Sequence, residues 1–321
     1  MKKAISGIIL LGSLAVLTSG CSLSKAKLVN TQELAISDIN EIAINYQSDS
    51  VNVYESDSEK LRVEEYLLTD KENAKATIEE ENKRLSITGG KRKSLWFTLN
   101  DNSHIDIYLP KDYHETLGIK MTSGSLKASE SFELKEFSGV VNSGSLRLAS
   151  IKADKIKLTS TSGSIKADKL LSDEAEIKSN SGSIKIDEVI SQTLVGKVTS
   201  GSVKLTKVKG DVELTANSGS IKLGEAIGSA KLKATSGAIK ASYTKVSGDI
   251  SAEANSGSIK LEIPKDLNFD FSSKTNSGSI RTDFDDSLSK EDNQKTGTIG
   301  RDSEVSIETR ATSGSIKVTR N

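Results

Sequence analysis

A single cysteine, Cys21, stands in 321 residues, so no disulfide within the chain can staple the fold. Histidine is almost as scarce: His104 and His114 are the only two. Neither Walker, Rossmann nor nucleophile-elbow motifs occur. Most paired carboxylates recur as Ala-Asp or Asp-Glu at places where turn propensity explains them. With no convergent set of acids, bases or metal ligands, the sequence offers no catalytic residues, no cofactor site and no metal site. Net charge is also lacking, with 44 basic against 44 acidic residues, which gives no reason to expect nucleic-acid binding. Aromatic residues are 4% and hydrophobic residues 35%, poor material for one large globular core but enough for a narrow, repeated one.

The N-terminus reads as a processing signal. Lys2 and Lys3 form a basic start, Ala4 to Leu17 is an apolar run too short to span a bilayer comfortably, and Thr18-Ser19-Gly20 places small residues before Cys21. An ordinary secretory signal needs no cysteine at its cut, yet the chain's one cysteine is there. The segment resembles a bacterial lipoprotein signal, differing from the commonest form in having Thr18 three residues before the cysteine. That resemblance implies cleavage after residue 20, diacylglycerol on the Cys21 thiol and often an acylated amino group. Two or more acyl chains give stable anchoring. No second long apolar segment follows, so the rest of the chain is expected on the extracytoplasmic face of the cell membrane. Loss of Lys2 and Lys3 leaves 42 basic and 44 acidic residues, a net charge of −2.

Self-comparison reveals a repeat. Ser-Gly-Ser or a near variant recurs with glycines at 124, 144, 163, 182, 201, 219, 237, 257, 278 and 314, at spacings of 20, 19, 19, 19, 18, 18, 20, 21 and 36. Thr296-Gly297-Thr298-Ile299 divides the last gap as a worn copy, which makes about eleven units. Within a unit, an alternating segment such as Ile221-Lys222-Leu223 is followed by a corner at Gly228 and a second alternating segment, Ala230 to Ala234. Apolar spacing of two excludes a helix. Identity at equivalent positions favours parallel stacking, like over like, over an antiparallel meander or barrel. The fold class is therefore all-β, a single-stranded parallel β-helix or solenoid of 18–20-residue turns with a β-rich N-terminal cap.

Three ladders follow from the stacking. Ile165, Ile184, Val203, Ile221, Ile239, Ile259 and Ile280 are expected to form one core strip. Two residues before each glycine, Thr122, Asn142, Thr161, Asn180, Thr199, Asn217, Thr235 and Asn255 alternate until Asn276 breaks the order; they are expected to hydrogen-bond up and down the stack as scaffold. Outward from the first strand stand Lys127, Arg147, Lys166, Lys185, Lys204, Lys222, Lys240, Lys260, Arg281 and Lys317. At about 4.8 Å per strand they would form a ridge on the order of 50 Å long. Such a ridge suits an anionic wall polymer or an anionic lipid surface; duplication alone would also propagate it, with Asp168, Asp187 and Glu225 offsetting some of the charge.

The chain accordingly divides into a signal (1–20), a lipidated tether (21–34), a β-rich capping region (35–120) and the Ser-Gly-Ser repeats (121–321). In the capping region Ile42 to Tyr46 reads as a strand and Gln47 to Val53 as an early variant turn, with further strands at Leu85 to Ile87 and Ile105 to Leu109. Gly89-Gly90-Lys91-Arg92-Lys93 followed by Leu95, Trp96 and Phe97 suggests a basic, aromatic hairpin; Leu95, Phe97 and Leu99 alternate as a strand core would. Residues 282–295 read as a solvated insertion. Their Asp283-Phe284-Asp285-Asp286-Ser287 lacks the glycine and glutamate of an EF-hand loop. No polar cap follows the last repeat, so an open strand edge is expected there, either docking another chain end to end or covered by the insertion.

The early Ser-x-Ser-Val strand, the Ile-x-Leu-Pro segment at Ile107 to Pro110 and the repeated T/N-S-G-S-I-K together resemble the bacterial putative-adhesin family of β-solenoid repeat proteins. The resemblance covers nearly all the mature chain. It implies a right-handed solenoid and a cell-surface role, and it carries over no catalytic residue. The expected function is a non-enzymatic envelope scaffold of adhesin-like kind, whose partners are the membrane through its anchor and another envelope protein; the alternative is a polyanion-binding or envelope-stress-sensing module using the ridge. Replacing Cys21→Ser should abolish incorporation of labelled palmitate and release the chain from the membrane fraction.

Overall fold

A computed structural model describes residues 26–91 and 102–321. Cys21, the signal segment and the Leu95-Trp96-Phe97 stretch lie outside the described residues. Among those described, the fold is all-β without α-helix, in two compact units, one ending at Arg147 and one spanning Leu148–Asn321. No helix among them is long and apolar enough to cross a membrane.

The first unit contains β1 (Lys27–Ala35), β2 (Glu41–Ser56), β3 (Lys60–Leu67), β4 (Thr77–Glu81), β5 (Arg84–Thr88), β6 (His104–Pro110) and the start of β7 (Thr116–Ile263). β2 makes two stretches joined at a corner. Its residues 41–46 pair in parallel with 116–121 and its residues 48–53 with 123–128, so Ser48-Asp49-Ser50 lies over Ser123-Gly124-Ser125. The early variant turn is thus a true member of the stack. β5 and β6 pair in parallel with the other edge of β2. Antiparallel strands then close this end, β4 on β5 and β3 on β6 with β1 outside it. Residues 27–34, expected as tether, are therefore mostly strand: Asn30 donates to Glu65 at 2.8 Å, and the same carboxylate accepts from the Ala76 N–H at 2.8 Å.

In the second unit β7 continues through successive turns, and each repeat glycine marks the same corner. A Cβ built on Gly182 would lie 1.9 Å from the carbonyl oxygen of Gly163, and one on Gly219 1.8 Å from that of Gly201. The glycines also hold φ between +128° and +155° from Gly163 to Gly257, a region closed to most side chains. Two requirements therefore fix glycine there: the backbone conformation and the close approach of the turn beneath. The second corner repeats the device at Gly210, whose Cβ would meet the Ser191 carbonyl at 1.6 Å, and at Gly228 above Gly210 at 2.1 Å.

The interior is filled by ladders from both strands of each turn. Ile165, Ile184, Val203, Ile221, Ile239 and Ile259 are buried, as expected, while Ile280 is half-buried. The facing ladder is small, with Ala216, Ala234, Ala254 and Ala311, which keeps the core narrow.

At the C-terminal end the order differs from the sequence. After β7 come β8 (Phe269–Ser277), β9 (Ile280–Thr282), β10 (Ser289–Glu291), β11 (Gln294–Ile299), β12 (Ser306–Ser313) and β13 (Ile316–Arg320). The last repeat does not sit at an edge. β12 pairs in parallel with 250–256 of β7 on one side and with β8 on the other, and β13 lies between 259–263 and β9. The expected open terminal edge is thus internal. The worn copy at 296–299 is not a parallel turn either: β11 runs antiparallel to β8 and carries β10 outside it.

Residues 282–295, expected as solvated insertion, instead close this end. Phe284 packs edge-on against Phe269 and Phe271 at 5.4 and 5.2 Å, and Arg320 lies over its ring at 5.7 Å. The Asp285 carboxylate accepts from Lys295 at 2.7 and 2.8 Å and from the Thr282 hydroxyl. The Lys295 hydrogen bonds, then that of Thr282, hold its pKa below the ordinary 3.8. The acidic segment is therefore an ion-paired clamp, with a lysine where a cation ligand would need free oxygens.

Two outcomes follow from this packing. Gly219→Ala should destabilise the stack by roughly 3 kcal/mol or more, because neither φ nor the Gly201 carbonyl can yield cheaply; Ser218→Ala, at an exposed position, should stay within about 0.5 kcal/mol in the same urea titration. A carboxylate with depressed folded pKa contributes stability that is present above 3.8 and lost as pH falls through its folded value. Exchange of the β10 and β11 amides, corrected for intrinsic rate, should therefore accelerate below that pH, and Lys295→Met should give the same loosening at pH 7.

Candidate functional site

The basic positions stand three residues after each glycine, between two buried neighbours that fix their outward direction, except at Arg281, whose neighbours are half-buried. Lys166, Lys185, Lys204, Lys222, Lys240, Arg281 and Lys317 are exposed and Lys260 half-buried in the second unit; Lys127 and Arg147 are exposed in the first. Register places Lys317 between Lys260 and Arg281, so the spatial order of the last three departs from their order in the chain. Among the described residues, two of the eight in the second unit are ion-paired, Lys185 with Asp187 at 3.3 Å and Lys260 with Glu262 at 2.6 Å. The Lys260 hydrogen bond lowers the Glu262 pKa, with Lys240 adding to the pull.

The other outward face of the same turns is built differently. Six residues before successive glycines stand Lys157, Glu176, Val195, Glu213, Lys231 and Ser251. Here charges meet opposite charges across turns: Lys157 with Glu176 at 3.5 Å, Lys231 with Glu213 at 3.5 Å and, two residues further along, Lys233 with Glu253 at 3.0 Å. One face thus pairs opposite charges across turns, while on the other the position three residues after each glycine is basic throughout, with Asp187 and Glu262 beside it. Like charges one strand apart oppose each other, so the basic ladder is not the arrangement that fold stability alone would select.

The Asn/Thr ladder takes a role other than the one expected. Thr161, Asn180, Asn217, Thr235 and Asn255 are exposed, and no hydrogen bond among the described residues joins one to the next. Polar side chains inside the stack come one position earlier or on the last turns: Ser160 and Ser179 are buried, and Thr309 donates to Ser273 at 2.8 Å.

A second surface cluster lies in the first unit, on the outer face of β3, β6 and β2. Arg62 covers the Tyr108 ring at 4.1 Å and Tyr108 stacks on Tyr54 at 5.3 Å. Beside them Tyr66 stacks on His104 at 4.4 Å, His104 lies 3.6 Å from Asp106, and Asn52 donates to Asp106 at 2.8 Å. Burial, then the hydrogen bond to Glu64, pushes the Tyr66 phenol up to about 12. These stacking, ion-pair and hydrogen-bond contacts link β2, β3 and β6, so the cluster braces the sheet. His114 is remote from it and contacts the Glu133 carbonyl at 2.9 Å. Among the described residues no group of three or more His, Cys, Asp or Glu is placed to hold a metal.

A solved structure shares the all-β architecture. A putative adhesin from Parabacteroides distasonis shares 15% identity over 92% of this chain and 99% of its own, with a TM-score of 0.52. A putative adhesin from Parabacteroides merdae gives 13% identity over 92% and 98%, with a TM-score of 0.46. A putative lipid binding protein from Parabacteroides distasonis gives 17% over 90% and 96%, with a TM-score of 0.44. At 15% identity the likeness to the first of these concerns the fold alone. No curated protein matches the chain. The model of the Toastrack DUF4097 family matches residues 39–226 and again 211–319, and the chain belongs to that family.

Proposed function

We propose that the chain is a non-enzymatic scaffold of the cell envelope, held at the extracytoplasmic face of the membrane by lipid on Cys21 and projecting an adhesin-like, right-handed solenoid. Its working parts follow the boundaries read from the sequence, with the tether shortened by β1. The supporting observation is the stack of the second unit, built of buried ladders around register-fixing glycine corners, which suits display and spacing better than turnover.

A second reading is favoured by one specific observation, the contrast between the two outward faces. Duplication would have propagated charge equally on both, yet one has diversified to mixed signs and neutral residues while the other is basic at all eight ladder positions of the second unit. Lysines about 4.8 Å apart along a strand stack form a linear array whose mutual repulsion is relieved by a linear polyanion. In this reading the body binds an anionic wall polymer or an anionic lipid surface, and stress sensing would follow from that occupancy.

Binding of the chain from Ser22 to anionic wall polymer and to anionic liposomes, titrated with salt, separates the readings. The polyanion reading expects binding that weakens steeply with salt and is lost in a folded variant carrying Lys185→Glu, Lys204→Glu, Lys222→Glu and Lys240→Glu. Absence of binding by the parent chain leaves the scaffold reading alone.

A further inference from the structure

The last turn of the chain fills a gap between two turns that are consecutive in sequence. Ile263 ends one turn, a link of five residues follows, and Phe269–Thr282 form the next at a distance of two strand spacings, with Ser306–Arg320 between them. The two walls of this gap are in register with each other. Ile307 faces both Ile250 and Phe271, Ala311 both Ala254 and Thr275, and Ile316 both Ile259 and Ile280. The glycine contact is also continuous: a Cβ on Gly314 would lie 1.7 Å from the Gly257 carbonyl, and one on Gly278 1.7 Å from that of Gly314. If the inserted turn withdrew, the Gly278 turn could stack on the Gly257 turn in the same register, as their sequence order suggests. The link 264–268 spans about 17 Å when extended, ample for one strand spacing or two.

We infer that the gap between the Gly257 and Gly278 turns is a binding slot for a Thr-Ser-Gly-Ser-Ile-Lys turn, and that it takes Ser306–Arg320 either from its own chain or from a second copy. The slot is selective. It requires glycine at the corner, a hydroxyl at 309 to meet Ser273, and apolar side chains at 307, 316 and 318, all buried. A second copy of this turn meets every condition. The connection that would have to reopen is residues 300–305, in which no side chain is buried and which carries positive φ at Gly300 (+85°) and Asp302 (+51°). It is held by the Asp270 N–H to the Val305 carbonyl at 3.0 Å and the Ser306 N–H to Asp249 at 2.7 Å. Exchange of the turn between two molecules would keep every contact of the slot and change only this hinge. The inference rests on the topology of the second unit and is independent of what the envelope scaffold binds.

The test uses the chain from Ser22, which contains every described residue. Thr309→Cys and Ser273→Cys together in one chain should form an internal disulfide under oxidation, since the native hydroxyls are 2.8 Å apart. Chains carrying only Thr309→Cys mixed with chains carrying only Ser273→Cys, concentrated and warmed below unfolding, should yield a disulfide-linked heterodimer that neither pool forms alone. Internal closure in the double variant with no heterodimer in the mixture overturns the inference. Should the cysteine variants not fold, sedimentation of the unsubstituted chain decides: refolding at high concentration should give a dimer that reverts slowly on dilution, and a monomer at every concentration overturns it.

Discussion

Everything in the repeat region depends on one contact, the carbonyl oxygen of each corner glycine pressing into the space where the next glycine lacks a Cβ. At Gly201, Gly237 and Gly257 the missing atom would lie 1.8, 1.7 and 1.7 Å from the oxygen beneath. That distance leaves no room for adjustment by rotamer change, because both partners are backbone. It locks the axial position of each turn on its neighbour and so determines which side chains face inward. Slippage by one residue would turn the whole apolar set outward; the glycine corner makes such slippage sterically impossible.

With register fixed in this way, like lies over like, and the character of each face becomes a choice made separately at each ladder. Inside, repetition is favourable, since Ile over Ile and Ala over Ala build a core that no single turn could bury. Outside, repetition of a charge is unfavourable, and the two outward faces resolve that constraint in opposite ways. The face with Lys157, Glu176, Glu213 and Lys231 mixes the two signs and pairs them across turns at 3.5 Å. Exposed pairs of this kind add little stability, yet they remove repulsion. The face with Lys204, Lys222 and Lys240 does neither, which is why the fold's own energetics leave it unexplained.

Much of this was legible in the sequence because a period of 18–21 residues and alternating apolar positions are direct records of the stack. The buried ladder from Ile165 to Ile259 and the variant turn at Gln47 to Val53 follow from spacing alone. Side-chain direction at Thr161 or Asn180 was not legible, because a polar residue next to a corner satisfies the pattern whether it points in or out. The aromatic cluster of Tyr54, Arg62, Tyr108, Tyr66 and His104 was hidden for another reason. Its members come from three strands whose pairing mixes parallel and antiparallel, and no local motif records that pairing. Cys21, the expected lipidation position, lies outside the described residues.

The order of the last turns was illegible for a reason that follows from the first constraint. A contact made only of backbone and identical in every turn cannot tell one turn from another, so period and register specify a stack without specifying its sequence of members. Discrimination must come from positions that break the repeat, and in the second unit those gather at the C-terminal end: Phe271 in register with Ile307 and Ile250, Thr309 against Ser273, and Phe284 packed on Phe269 and Phe271. The same end carries β10, three exposed residues that include Lys290 and Glu291. A short charged strand outside an antiparallel β11 presents little template for a further turn. The stack is thus ended where its repeats stop being interchangeable, and the turn of Gly314, matched to its neighbour through Thr309, is held inside rather than at the edge.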